Sequence, residues 1–276
     1  MMKKVYTRVN ALFMVMCMIL GLLVTTAPTE AAKKKEKKVS VYVITKHEVD
    51  DDAETSEYYK YTYNKNGFVK KGVSALSTSA YTYKGTRLIK IVETPKKGYD
   101  SLEKTVTTNT YDKKGRLKKS VEKSESATTT MKCTYDKKNR LTKEEYIKDN
   151  GETKKKEFIA YKYNKKGQVL SITAKDDESA EAMKLSYKYD KKGNPIKETL
   201  EWVNDEEISS QSVLTIEYTY KKDRVLKKVE TTTYGSQAYV DYKAVHTYTY
   251  KKIKVPKKYA AKVKKQQKEI FEKNML

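Results

Sequence analysis

Few residues of this chain have the chemistry of a catalyst. Among its 276 residues are two His, two Cys and 36 Asp+Glu. Nucleophilic catalysis needs a base held against a Ser or Cys, and His47 and His246 are the only imidazoles. His47 precedes an acidic run. His246 stands two residues before Tyr248, where it reads as a ring-sized replacement in a tyrosine series. Cys17 lies in an apolar amino-terminal run, and Cys133 occupies a tyrosine slot as a small hydrophobe. Asp50, Asp51, Asp52 and Glu54 are oxygen-rich, but they lack the alternating ligands and the Gly of a calcium loop. Paired carboxylates for glycoside cleavage carry no signature among 36 candidates, and no P-loop or dinucleotide fingerprint occurs. The expectation is no catalytic residue, no metal and no cofactor. A hydrolase whose carboxylates are assembled only by the fold is the rival reading.

The residues that recur are tyrosines, 24 in all against 4 Phe and 1 Trp. A pattern of the form Tyr-x-Tyr, Asn or Asp, Lys-Lys-Gly and then an aliphatic residue returns eight times. Its second Tyr falls at 63, 83, 111, 135, 163, 189, 220 and 250, at intervals of 20 to 31 residues. Such periodicity indicates a repeat architecture. Tyr-x-Tyr has the period of a strand, which puts both rings on one face. Asp or Asn followed by Lys-Lys-Gly is turn chemistry, with Gly at the left-handed position and Asn139 substituting for it once.

Each copy therefore reads as a β-hairpin. Lys113, Lys114 and Gly115 form a three-residue loop that sets Tyr111 opposite Leu117. The shorter copies loop through Gly85-Thr86 and Lys222-Asp223, and still set Tyr83 opposite Leu88 and Tyr220 opposite Val225. Continuing the register by simple alternation sets Tyr61 opposite Lys71, Tyr81 opposite Lys90, Tyr187 opposite Lys197 and Tyr218 opposite Lys227. A face laced with lysine is expected to be partly wet. Turns at Asp149–Gly151 and Ser209-Ser210 complete the units, for roughly 14–17 antiparallel strands. Open sheets rarely exceed about ten strands without curling or splitting. The expected fold is all-β, a long antiparallel meander of hairpins over 39–255 that curls into a barrel-like or spiral shell. Residues 32–38 read as a basic linker. Residues 256–276, with Tyr259, Val263, Ile270 and Phe271 near helical spacing, read as a C-terminal helix that caps the last hairpin.

Tyr111-Asp112-Lys-Lys-Gly115-Arg116-Leu117 and Tyr135-Asp136-Lys-Lys-Asn139-Arg140-Leu141 resemble the YD repeats of the RHS/YD-repeat proteins. The resemblance covers about residues 58–255, in mostly partial copies. It implies a β-shell of hairpins in an exported or surface protein. Nothing in 256–276 resembles the toxin or self-cleaving segment of the large members, so toxin delivery does not carry over.

At the amino terminus, Lys3, Lys4 and Arg8 precede the apolar run Ala11–Val24, and Thr29-Glu30-Ala31 supplies a small-x-small site. Residues 1–31 read as a signal peptide cleaved near Ala31, with an uncleaved anchor as the alternative. No later apolar stretch is long enough to span a membrane. Cleavage leaves Cys133 as the only thiol, so an intramolecular disulfide is impossible.

The formal charge of the chain is +23, which favours polyanionic partners. Export makes nucleic acid a poor target and an anionic cell-wall polymer a better one, with a glycan or a surface protein as further candidates. The first reading is a non-enzymatic, secreted or cell-surface bacterial repeat protein. It would bind through a Tyr/Lys surface formed by Tyr61, Tyr63, Tyr81, Tyr83, Tyr111, Tyr135, Tyr161, Tyr163, Tyr187, Tyr189, Tyr218 and Tyr220. A passive spacer is the other non-catalytic alternative.

Overall fold

The computed structural model describes residues 36–51, 57–179, 181–191, 193–204, 207–221, 224–234 and 240–273. The signal segment and most of the basic linker lie outside them. The chain alternates along its length between strand and turn. Its first strands are β1 (Lys38–Asp51), β2 (Glu57–Tyr63), β3 (Val69–Val73), β4 (Ser77–Lys84), β5 (Arg87–Pro95), β6 (Thr105–Tyr111), β7 (Leu117–Lys123) and β8 (Thr128–Tyr135). Then follow β9 (Leu141–Asp149), β10 (Lys154–Tyr163), β11 (Val169–Asp176), β12 (Glu181–Tyr189), β13 (Pro195–Asn204), β14 (Glu207–Lys221), β15 (Arg224–Tyr234) and β16 (Val240–Pro256). Every strand pairs antiparallel with its chain neighbours, and β1 pairs with β16 from Lys38↔Pro256 to Asp51↔Ala244. The sheet is a closed barrel of 16 strands. Closure removes the two edges that an open meander of this length would expose.

In the described turns the chemistry holds as read; Lys222 and Asp223 lie outside the described residues. Gly115 donates its N–H to the Asp112 carbonyl at 2.8 Å, and Asp112 and Arg116 face each other across the loop. Gly115 has φ 75° and Asn139 φ 62°, the left-handed geometry that only Gly and Asn adopt at low cost. The Tyr–aliphatic pair beside each turn also stands. Tyr63 faces Val69, Tyr83 faces Leu88, Tyr111 faces Leu117, Tyr135 faces Leu141, Tyr163 faces Val169, Tyr189 faces Pro195 and Tyr220 faces Val225.

One step further from the turn, the register differs from simple alternation. A β-bulge follows the aliphatic residue in all seven hairpins, inserting Lys70, Ile89, Lys118, Thr142, Leu170, Ile196 or Leu226. Tyr61 therefore faces Gly72, Tyr81 faces Ile91, Tyr187 faces Glu198 and Tyr218 faces Lys228. A one-residue shift moves a whole side-chain set to the other face of a sheet. Lys71, Lys90, Lys197 and Lys227 pair instead with Thr62, Thr82, Lys188 and Thr219. The tyrosine face is consequently the inner one and is not laced with these lysines.

Two other expectations fail. The eighth copy makes no hairpin: Tyr250 lies within β16 and faces Ile44 of β1, because Lys251-Lys-Ile-Lys254 holds no turn-forming residue. Ser209-Ser210 is strand, and the β13–β14 connection falls between Asn204 and Glu207.

A single turn of 3₁₀ helix (Lys257–Tyr259) leads from β16 into α1 (Ala260–Lys273). The helix does not cap the last hairpin. It packs into the mouth against β1 and the first two hairpins. Val263 is buried with Val41, Val43, Phe68 and Val255, while Ile270 joins Ile44, Val69, Ile216, Val225 and Tyr248 of the inner face. Gln266 and Gln267 take the two backbone donors exposed there, Val69 N–H at 3.0 Å and Ile44 N–H at 2.6 Å. No described helix is long and apolar enough to cross a membrane.

Candidate functional site: a lysine rim and a buried relay

The tyrosines expected to form a binding surface point into the barrel. Tyr161 is buried, and the other eleven are half-buried. Their hydroxyls repeat one contact. Tyr111 donates to the Leu88 carbonyl at 2.7 Å, Tyr135 to Leu117 at 2.8 Å, Tyr163 to Leu141 at 2.7 Å and Tyr189 to Val169 at 2.7 Å. Tyr250 donates to Val225 at 2.8 Å, and Tyr63 donates to Ile44. Five of these hydroxyls thus reach the aliphatic residue at the bulge of the preceding hairpin, and that of Tyr63 reaches Ile44 at the register shift of the β1–β16 seam, where the ladder is likewise interrupted. The Arg of that hairpin lies over the same ring. Arg116 is 4.5 Å from the centre of Tyr135, Arg140 is 4.8 Å from Tyr163, and Arg87 is 5.7 Å from Tyr111. Asp112 and Asp136 hold Arg116 and Arg140 through Nε at 2.7 Å. The Tyr, Asp, Arg and Leu of the motif are a device for stitching one hairpin to the next.

The bulge also carries polar residues inward. Glu144 faces Cys133, Glu198 faces Tyr187, and Lys228 faces Tyr218. Glu144 is fully buried and accepts from the Tyr161 hydroxyl at 2.7 Å. Burial raises its carboxyl to about 8, against the opposing hydrogen bonds from Tyr161 and Tyr146. Beside it, burial and then the Glu144 charge push the Cys133 thiol up to about 12, which disfavours the thiolate.

The two histidines, distant in sequence, meet where β1 closes on β16. His47 Nε2 lies 2.9 Å from His246 Nδ1, and His246 Nε2 lies 2.8 Å from Glu230. Glu230 also accepts from Lys228 Nζ at 2.6 Å. A carboxylate only accepts, so His246 donates through Nε2. In its neutral tautomer, Nδ1 then accepts from His47 Nε2–H. The His47 ring stacks between Tyr59 and Tyr248, with centroids 5.6 and 4.7 Å away. Burial, then His246 and Lys228, lower His47 to about 3. Lys228 is lowered by burial while Glu230 opposes, and Glu230 is held low by Lys228 and His246 although burial pushes it up. Alternation counted without the bulge hid Lys228, Glu198 and Glu144. The histidines could be joined only once the barrel closed.

This relay has a base, an acid and a cation in contact, but no approach. Lys228 is 0 % and His47 1 % exposed, so a substrate would have to part the wall. No group of three or more His, Cys, Asp or Glu among the described residues is placed to hold a metal.

The groups that do face solvent are lysines. The motif turns all join an even strand to the next odd one, so they crowd one end of the barrel, together with α1. Lys65, Lys113-Lys114, Lys137-Lys138, Lys165-Lys166 and Lys191 are exposed there, and none has a carboxylate at ion-pair distance among the described residues. The described connecting residues at this end number ten basic and three acidic, and those at the opposite end three basic and six acidic. The ends of the barrel are electrically unlike.

No family model matches the chain, and no curated protein matches it. Among solved structures it is similar to a porin-like protein of Bacteroides uniformis. The TM-score is 0.52 at 16% identity, over 75% of this chain and 96% of that one. It is also similar to a porin-like protein of Bacteroides vulgatus, with a TM-score of 0.51 at 11% identity over 76% and 99%. What is shared at such identity is the barrel fold.

Proposed function

We propose that this is an exported, non-enzymatic β-barrel of the bacterial cell surface, allied to the YD-repeat proteins in its hairpins, that holds to an anionic wall polymer by electrostatics. Export rests on the amino-terminal segment. One observation carries the binding reading: inside the barrel Lys228 and His246 are bonded to Glu230 and Tyr161 to Glu144, whereas the solvent-facing turn lysines are unpaired by carboxylates among the described residues.

The outer wall supports a place at the surface rather than within a bilayer. A lipid-facing barrel needs an outward apolar band about 25 Å tall. Here the outward residues in mid-strand include Lys184 of β12, Glu217 of β14 and Thr247 of β16, all exposed. Purified wall material, incubated with the mature protein at low and at high salt, tests the reading. Retention at low salt that is released by salt is expected, and no retention at low salt refutes it.

A further inference from the structure

We infer that the polyanion is gripped end-on, by the rim of motif turns that carries the unpaired lysines, and that the preferred ligand is a linear phosphate-type polymer rather than a small anion. The inference rests on the polyanion reading above and adds the face and the ligand geometry.

Three observations converge on the rim. First, the described connections at the motif-turn end are basic in balance, while those at the other end are acidic in balance. At the far end the connections present Asp177, Glu178, Glu125 and Glu152 among the strand-end lysines, and Lys155 is paired with Glu178 at 3.2 Å. Second, the acids of the rim are already engaged. Asp112 and Asp136 are bound by Arg116 and Arg140, so they do not neutralise Lys113, Lys114, Lys137 or Lys138. Third, the spacing suits a chain. Neighbouring motif turns stand two strands apart, about 10 Å at the interstrand distance of 4.7–4.9 Å. Pyrophosphate reaches one turn; a long polymer reaches several. Linked contacts add through effective concentration, so affinity rises with ligand length.

Long-chain inorganic polyphosphate is the probe, titrated against the mature protein over a range of salt. One variant carries Lys113→Ser, Lys114→Ser, Lys137→Ser and Lys138→Ser. A matched variant carries Lys123→Ser, Lys148→Ser, Lys156→Ser and Lys175→Ser, exposed lysines on strand ends away from the motif turns. Both lose four charges outside the core, and thermal melting checks their fold. The rim variant is expected to bind about tenfold more weakly, with a log K versus log salt slope shallower by about 3, as four lost phosphate contacts require. The matched variant should stay within about twofold of the parent. Equal losses in the two variants overturn the end-on grip while leaving the polyanion reading intact. So does pyrophosphate competing as well as polymer per phosphate. Tighter binding of single-stranded DNA at equal charge overturns the assignment of ligand class. Failure of the parent protein to bind polyphosphate at low salt removes the underlying reading itself.

Discussion

The hydroxyl of Tyr135 donates to the carbonyl of Leu117 at 2.8 Å. The two residues belong to successive hairpins, and Arg116, next to that leucine, covers the tyrosine ring. Losing the hydroxyl leaves a carbonyl at an interrupted ladder without this donor. Tyr135→Phe is expected to cost about 1–2 kcal/mol. Tyr42→Phe, on the outer face and 42% exposed, should change stability by less than about 0.5 kcal/mol. Urea midpoints measure both. Equal effects would mean that the tyrosines contribute area alone.

That contact shows what the sequence could and could not disclose. Tyr135, Asp136 and Leu141 are adjacent to their turn, and local rules place them. The inner partner of the next position is not local in that sense. Glu144 is three residues beyond Leu141, and plain alternation sends it outward. The bulge at Thr142 returns it to the core. Bulges have no residue signature here, since the inserted position is Lys, Ile, Thr or Leu in different copies. The pairing of His47 with His246 spans 199 residues. It depends on closure, and closure depends on the eighth copy running straight on for want of a turn residue. The lysine rim was legible only in part: the turns were read, but their common end follows from the unbroken meander.

Gly67 lies where the first turn meets the helix. Its φ is +88°, and an added Cβ would sit 2.5 Å from Val255 and 3.0 Å from Val263. Gly67→Ala combines a left-handed strain of about 1 kcal/mol with overpacking of about 1–3 kcal/mol. Gly85 also has positive φ, +63°, but nothing stands within 4 Å of a Cβ there, so Gly85→Ala should show the strain alone. Melting of the two variants separates the terms, and an equal drop would argue against α1 packing in the mouth.

Removing one member of the seam relay should hurt more than removing two. Lys228 is 0% exposed and is neutralised by Glu230. Lys228→Ala leaves the carboxylate with one partner fewer in a dry site, a loss of about 3–5 kcal/mol. Lys228→Met combined with Glu230→Leu removes both charges and keeps volume, so it should cost clearly less than the single change. A double-mutant cycle by denaturant unfolding decides this. Additive losses would show that the pair is not coupled.

Glu144 should make the fold less stable as the medium becomes alkaline. Its carboxyl titrates near 8 in the folded chain and near 4.5 otherwise. Below 4.5 both states are protonated and nothing is lost. Between those values the unfolded chain gives up a proton that the folded one keeps, so stability falls with rising pH by up to about 1.4 kcal/mol per unit. Glu144→Gln keeps the acceptor for Tyr161 and cannot ionise. Its advantage over the parent should grow between pH 5 and pH 8 in urea titrations. A constant difference across that range would show that Glu144 ionises normally.

His47 acts in the opposite direction. Its folded value of about 3 lies below the ordinary 6.5, so the unfolded chain binds a proton that the folded chain refuses. Stability is full above 6.5 and is lost as pH falls toward 3, again by up to about 1.4 kcal/mol per unit. His246, Lys228, Glu230, Tyr59 and Tyr248 surround the ring; burial and then the positions of His246 and Lys228 oppose a charge on it, while Glu230 favours one. His47→Phe preserves a flat ring between Tyr59 and Tyr248 but has nothing to protonate. It also deprives His246 of a hydrogen-bond partner, a fixed loss of about 1 kcal/mol at neutral pH. The variant should therefore be the less stable protein at pH 7 and regain ground by pH 4.5, where the parent pays for keeping His47 neutral. Unfolding midpoints at the two pH values give the comparison. A gap that stays the same, or widens on acidification, would show that His47 takes up its proton inside the closed barrel.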